Sequence, residues 1–159
     1  MVALRTSIAL IALTTLHFHA AADPCEPHKT RHGAHPLTVT GAITLQARDA
    51  TPTDADMQCL EKLWNPRDGT IAATATRALL MVTSRHPSVA IHAATRRPEI
   101  YREWMSDLAR FALHDVNGEG QLLRRSIAQL LAARPAKDND AGRKLLLEGL
   151  GAVQPFKLE

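Results

Sequence analysis

PEIYREWMSDLARFAL, residues 98–113, decides the fold class. At 3.6 residues per turn, Ile100, Tyr101, Trp104, Met105, Leu108, Phe111 and Ala112 fall on one side. Glu99, Arg102, Glu103, Ser106, Asp107 and Arg110 fall on the other. The division follows helical periodicity and not composition alone, so the stretch is an amphipathic α-helix. It holds the only Tyr, one of two Trp and one of three Phe. It is therefore expected to supply much of the aromatic core and to act as the central packing element.

The rest of the chain supports an all-α fold. Apolar residues make up 45% and charged residues 22%, a mixture suited to one globular core within 159 residues. Aromatics reach only 4% while Ala and Leu are abundant, which favours close-packed helices over a β-sandwich. Thr51-Pro52-Thr53-Asp54 provides capping residues for a helix striped by Met57, Leu60, Leu63 and Trp64. Asp68-Gly69 opens a second, with Ile71, Ala75, Ala78, Leu79 and Val82 inward, and His86-Pro87 closes it. Ser88–Arg97 reads as a short Ala-rich helix, and Pro98 suits the first position of the next. Beyond the DVNGEG turn at 115–120, Leu123, Ile127, Leu130 and Leu131 mark an inward face. A last helix carries Leu145, Leu146 and Leu150, capped by Asp138 or Asp140, with Gly149 and Gly151 weakening its end.

The expected architecture is about five short amphipathic helices in antiparallel hairpins. From Asp68 onward the successive pairs resemble an α-hairpin array of HEAT type in element length and Ala/Leu patterning. No repeat consensus is matched, so the resemblance implies architecture and not family membership.

The amino-terminal third reads differently. Arg5, the apolar run Ser7–Leu16 and small residues at Ala20-Ala21-Ala22 form an export signal over residues 1–22. The run is half the roughly 20 residues a bilayer span requires, so no stable membrane span is expected after cleavage. Residues 23–50 are expected to be an irregular leader containing His and Pro, and 51–159 the helical domain. Within the leader, Leu37–Ala47 alternates with period two, as an isolated strand would; a poorly formed helix is the other reading.

Charge and cysteine content narrow the function classes. Without Arg5 the 19 Lys and Arg become 18, against 16 Asp and Glu, leaving the mature chain close to neutral. Arg96-Arg97 and Arg124-Arg125 read as isolated pairs on solvated helix surface, so nucleic acid is not an expected partner. Cys25 and Cys59 are the only cysteines. An even count in an exported chain points to one structural disulfide, worth about 3–4 kcal/mol by the chain-entropy argument.

Three clusters are candidates for function. Cys25, His28, His32 and His35 lie within eleven residues; imidazoles and a thiolate suit Zn²⁺ or copper, unless the cysteine is in a disulfide. Asp115, Asn117 and Glu119, followed by Gly120, open like a calcium loop of EF-hand or dockerin type. Leu123 and Ser126 then stand where the later ligands belong, and the same residues suit an interhelical turn. Glu99, Arg102, Glu103, Asp107 and Arg110 form a charged helix ridge able to pair internally or meet a partner. No G-x-S-x-G, H-E-x-x-H or phosphate-cradling loop occurs, and His86 and His114 read as residues at helix ends.

The expected function is that of a small periplasmic or secreted helical domain, an interaction or inhibitor-type module acting on another exported protein. A periplasmic metal-binding protein using His28, His32 and His35 is the first alternative. The second is a hydrolase whose site forms only in three dimensions.

Overall fold

The computed structural model describes residues 36–64, 69–110 and 118–153. These form seven α-helices: α1 (Pro36–Asp49), α2 (Asp54–Trp64), α3 (Gly69–Arg85), α4 (Pro87–Arg96), α5 (Pro98–Arg110), α6 (Glu119–Ala132) and α7 (Asp140–Gly151). A 3-10 turn, Lys137–Asn139, precedes α7. There is no strand among the described residues. The all-α expectation holds.

Residues 37–47 belong to a helix, not a strand, and the helical body extends into what the sequence suggested was leader. Thr40, Ile43 and Ala47 are buried. Their spacing of three and four residues is helical, and Thr40 has the parity that a strand would expose. Thr44 returns its hydroxyl to the Thr40 carbonyl at 2.9 Å. The partner that a lone strand would lack exists for a helix, because α1 packs on α3.

That packing also moves the centre of the fold. The hub is α3, which meets α1, α2, α4 and α6. Nine of its residues are buried, including the polar Thr76, Thr83 and Ser84. Thr83 and Ser84 satisfy their hydroxyls on the Leu79 and Met81 carbonyls at 2.8 and 2.9 Å. Ser126 of α6 donates across the interface to the Leu80 carbonyl at 2.8 Å. The helix of the opening stretch, α5, packs mainly on α7. It contributes the aromatic cluster: Trp104 stacks on Trp64 with centroids 5.2 Å apart, and on Tyr101 at 5.9 Å. The indole N–H of Trp104 donates to the Thr76 hydroxyl at 2.9 Å. An aromatic ladder thus ties α5 to α2 and α3.

Local chemistry sets the helix ends. Thr53 and Asp56 form a reciprocal capping box at the start of α2: the Asp56 N–H donates to Thr53 Oγ1 at 3.3 Å, and the Thr53 N–H donates to Asp56 Oδ2 at 2.8 Å. His86 sits at a helix end, as its position before Pro87 suggests, yet its Nε2 meets the Ala47 carbonyl of α1 at 3.0 Å. It therefore serves the terminus of a different helix. Gly118 takes φ +81 ahead of α6, a left-handed conformation suited to glycine. The residue before α7 is Asn139, without a side-chain capping bond. Asp140 instead lies in the first turn and pairs with Arg143 and Lys144 at 2.8 and 3.1 Å.

Two assignments change. Leu131 is 64% exposed. It lies about 80° round the helix from Leu123, outside the arc that faces α3. Gly149 does not merely loosen a helix end: a Cβ there would collide with Met105 of α5. Gly142, two turns earlier, would meet the backbone of α4, with the Thr95 nitrogen at 2.7 Å. Both glycines let α7 seat closely on the α4–α5 pair.

Two substitutions test this packing. Trp104→Ala should cost about 3–5 kcal/mol in denaturant unfolding; a loss well under 1 kcal/mol would contradict the buried ladder. Gly149→Ala should cost about 1–3 kcal/mol by overpacking, and an unchanged midpoint would contradict the close α5–α7 contact.

Candidate functional site

The described surface carries an open groove of about 230 Å³ between α2 and α4, lined by Pro52, Asp54, Met57, Ser88, Val89 and His92. Helical spacing explains the lining. Asp54, Met57 and Glu61 lie at i, i+3 and i+7 along α2, on one face. Ser88, His92 and Arg96 lie four residues apart along α4, with Val89 beside them. Pro52, Met57 and Val89 supply an apolar floor, and Asp54, Ser88 and His92 a polar rim.

The groove leads to a charged joint. Arg97 is the single residue separating α4 from α5. Its guanidinium reaches two carboxylates of α2, Asp54 Oδ1 at 3.1 Å from Nη2 and Glu61 Oε2 at 2.5 Å from Nε. Arg96 adds a contact to Asp54 Oδ2 at 2.9 Å, and Gln58 donates to the same oxygen at 3.0 Å. The pair Arg96-Arg97, which resembles solvated surface in the sequence, is thus structural in its second member. The Asp54–Glu61 spacing of two helical turns was the legible signal: two acids on one face of α2 require a basic partner if that face is buried.

Burial decides the protonation behaviour of this joint. Glu61 is only 3% exposed, and desolvation pushes its pKa above the ordinary value despite the adjacent guanidinium of Arg97. For Asp54 burial acts in the same upward direction. Hydrogen bonds from Arg97 and Gln58, with the charges of Arg97 and Arg96, outweigh it and hold that carboxyl low. Arg97 is raised: burial opposes its charge, but Glu61 and Asp54 more than compensate. Tyr101 is fully buried, and desolvation together with the neighbouring Glu61 carboxylate lifts its hydroxyl well above the ordinary phenol value. Glu61 Oε1, Arg97 Nε and the Tyr101 hydroxyl lack well-aligned hydrogen-bond partners among the described residues. The Nε–Glu61 contact is accordingly a close ion pair rather than a directed hydrogen bond.

The groove contains the residue types of a hydrolytic triad without its connectivity. Both Asp54 oxygens are taken by Arg96, Arg97 and Gln58. A triad requires the carboxylate to orient the imidazole and the imidazole to reach the hydroxyl. No hydrogen bond joins His92 to Ser88 or Asp54 among the described residues.

Of the sequence-predicted sites, only some members lie among the described residues. Cys59 is fully buried in α2 and disulfide-bonded. Cys25, His28, His32 and His35 lie outside the described residues, as do Asp115 and Asn117. Glu119, third of the calcium-like trio, pairs with Arg77 of α3 at 2.6 Å and helps fix the start of α6. Glu99, Arg102 and Glu103 are exposed on α5 and Asp107 is half-buried; the Arg110 side chain lies outside the described set. Among the described residues no cluster of three or more His, Cys, Asp or Glu is placed to hold a metal. No helix there is long and apolar enough to cross a membrane. Comparison with known proteins adds no kinship: no family model, curated protein or solved structure matches the chain.

The two acids of the joint predict opposite pH responses. Glu61 has a raised folded pKa, so its contribution is fully present below the ordinary value near 4.5 and is lost as pH rises through the folded value. Asp54 has a lowered folded pKa, so its contribution is present above the ordinary 3.8 and is lost as pH falls through the folded value. Urea unfolding across pH 3–8 should therefore show Glu61→Gln removing part of the decline above pH 4.5, and Asp54→Asn removing part of the acid loss. Parallel curves for Glu61→Gln and wild type would contradict the buried-carboxylate assignment. At pH 7, Arg97→Ala should cost about 3 kcal/mol by stranding Glu61, and less at pH 4.5; an equal cost at both would place the loss in packing instead.

Proposed function

We propose that this protein is a small exported helical domain that works by contact with another exported protein, an interaction or inhibitor-type module whose docking seat is the α2/α4 groove. The groove carries the reading. At about 230 Å³ and open to solvent, it is smaller than the roughly 300–1,000 Å³ clefts that enclose small-molecule substrates. Its size and apolar floor suit one anchoring side chain of a partner, ringed by polar groups, as at the centre of many protein interfaces. Asp54 is already neutralised by two arginines, so the rim can be covered without stranding a charge.

In this reading residues 1–22 are an export signal and the chain works in the periplasm or outside the cell, in an oxidising environment. Within this proposal Cys59 pairs with Cys25, the chain's one other cysteine, which tethers the leader to α2. The charged outer face of α5 is a second contact surface in the same reading, through Glu99, Arg102, Glu103, Asp107 and Arg110.

The test is capture of partners from a periplasmic extract on immobilised mature protein, with wild type, Val89→Asp and the pair Glu103→Lys/Asp107→Lys compared. Val89→Asp, which places a charge on the groove floor, should lower recovery of a specific partner at least tenfold while leaving the far-ultraviolet circular dichroism unchanged. Equal recovery with Val89→Asp would remove the groove from the interface, and loss with the α5 pair alone would assign that face instead.

A further inference from the structure

The net positive charge of the protein is concentrated in one segment. Gly120–Lys137 contains Arg124, Arg125, Arg134 and Lys137 and no acid, a local charge of +4. The whole chain carries +3, so everything outside this segment sums to −1. All four cations are exposed, and none takes part in an ion pair among the described residues.

The same face carries an apolar feature. Steps of 100° place Leu131, Arg124, Ala128, Ala132 and Arg125 along one continuous arc of α6, and all five are exposed. Leu131 is the one exposed large hydrophobic side chain among the described residues. The opposite arc, with Leu123, Ser126 and Leu130, is buried on α3. Ser126 fastens it through the Leu80 carbonyl.

We infer that the outer face of α6 is a docking surface for an acidic protein segment, whose carboxylates meet Arg124 and Arg125 and whose apolar side chain covers Leu131. Charge complementarity sets the sign of the partner. Arginine's planar fork pairs bidentately with carboxylates, and arginine is among the residues enriched at interfaces over the rest of the surface. An anionic membrane shares the charge but fits less well. A helix that lies in a bilayer must turn its broad apolar face to the lipid, and α6 has committed that face to α3. The assignment extends the interaction reading and shares with it only the premise that the protein acts through its surface; the groove is a separate contact.

The test measures binding of the intact mature protein to three probes. These are a fluorescent helical peptide built from Glu-Glu-Leu-Leu repeats, its counterpart with serine in place of leucine, and vesicles of phosphatidylglycerol and phosphatidylcholine. The acidic leucine peptide should bind, with affinity falling as salt rises. Arg124→Glu/Arg125→Glu should weaken it at least tenfold. Leu131→Ser should weaken it about fivefold for the leucine peptide and leave the serine peptide unaffected. Val89→Asp should leave peptide binding unchanged, so that failure of the groove and failure of this face are read separately. Peptide binding insensitive to Arg124→Glu/Arg125→Glu, a Leu131→Ser effect equal for both peptides, or tighter binding to the vesicles than to the leucine peptide would overturn the inference.

Discussion

The arrangement of this molecule depends on one cation held by two anions. Arg97 occupies the corner between α4 and α5 and spans two turns of α2, from Asp54 to Glu61. A carboxylate as buried as Glu61 is costly unless compensated, and a guanidinium is suited to meeting two acids at once. The corner therefore cannot drift along α2 without abandoning one of them. Close by, the Trp64–Trp104–Tyr101 ladder adds the directionless part of the attachment, so charge fixes position where stacking supplies adhesion. The groove shares a member with this joint: Asp54, paired with Arg97, also lines the space between α2 and α4.

The polar groups along this seam are unequal in what they contribute. Asp54 lies near the surface and is overcompensated by two arginines, whereas Glu61 is buried and undercompensated. Such asymmetry resembles the way functional carboxylates are set apart in enzymes. Here it has a structural cause, since one acid lines the groove and the other is buried beside Tyr101. In the proposed interaction reading, the outer acid is a neutral rim while the inner one holds the helices in place.

The helical nature of the chain was legible from periodicity, and so were several boundaries: the capping residues before α2, Pro87 after α3 and Pro98 at the start of α5. Two things were hidden. The alternation in Leu37–Ala47 coincides with helical spacing over so short a window, and only the presence of α3 beside it decides between them. The central role of α3 was masked by its small residues: Ala75, Thr76 and Ala78 look weakly apolar, yet small side chains are what allow four neighbours to approach one helix. For the candidate site, the α5 ridge could be proposed from the sequence because it is local. The groove was not, since its two walls lie about 30 residues apart in sequence and neither Ser88 nor His92 belongs to a local motif.

The glycines of α7 have a consequence for how the chain selects a single structure. Gly142 faces the backbone of α4 and Gly149 faces Met105, one heptad apart on one helix face. If α7 slipped by one turn in either direction, Leu146 or Asp138 would replace Gly142, and Val153 or Leu145 would replace Gly149. Each replacement would drive a side chain into a space where even a single carbon does not fit. Apolar leucines on α7 would accept several registers almost equally well; the two missing side chains accept one. The absence of atoms at two positions thus acts as a key, and the last helix is indexed by where it is empty.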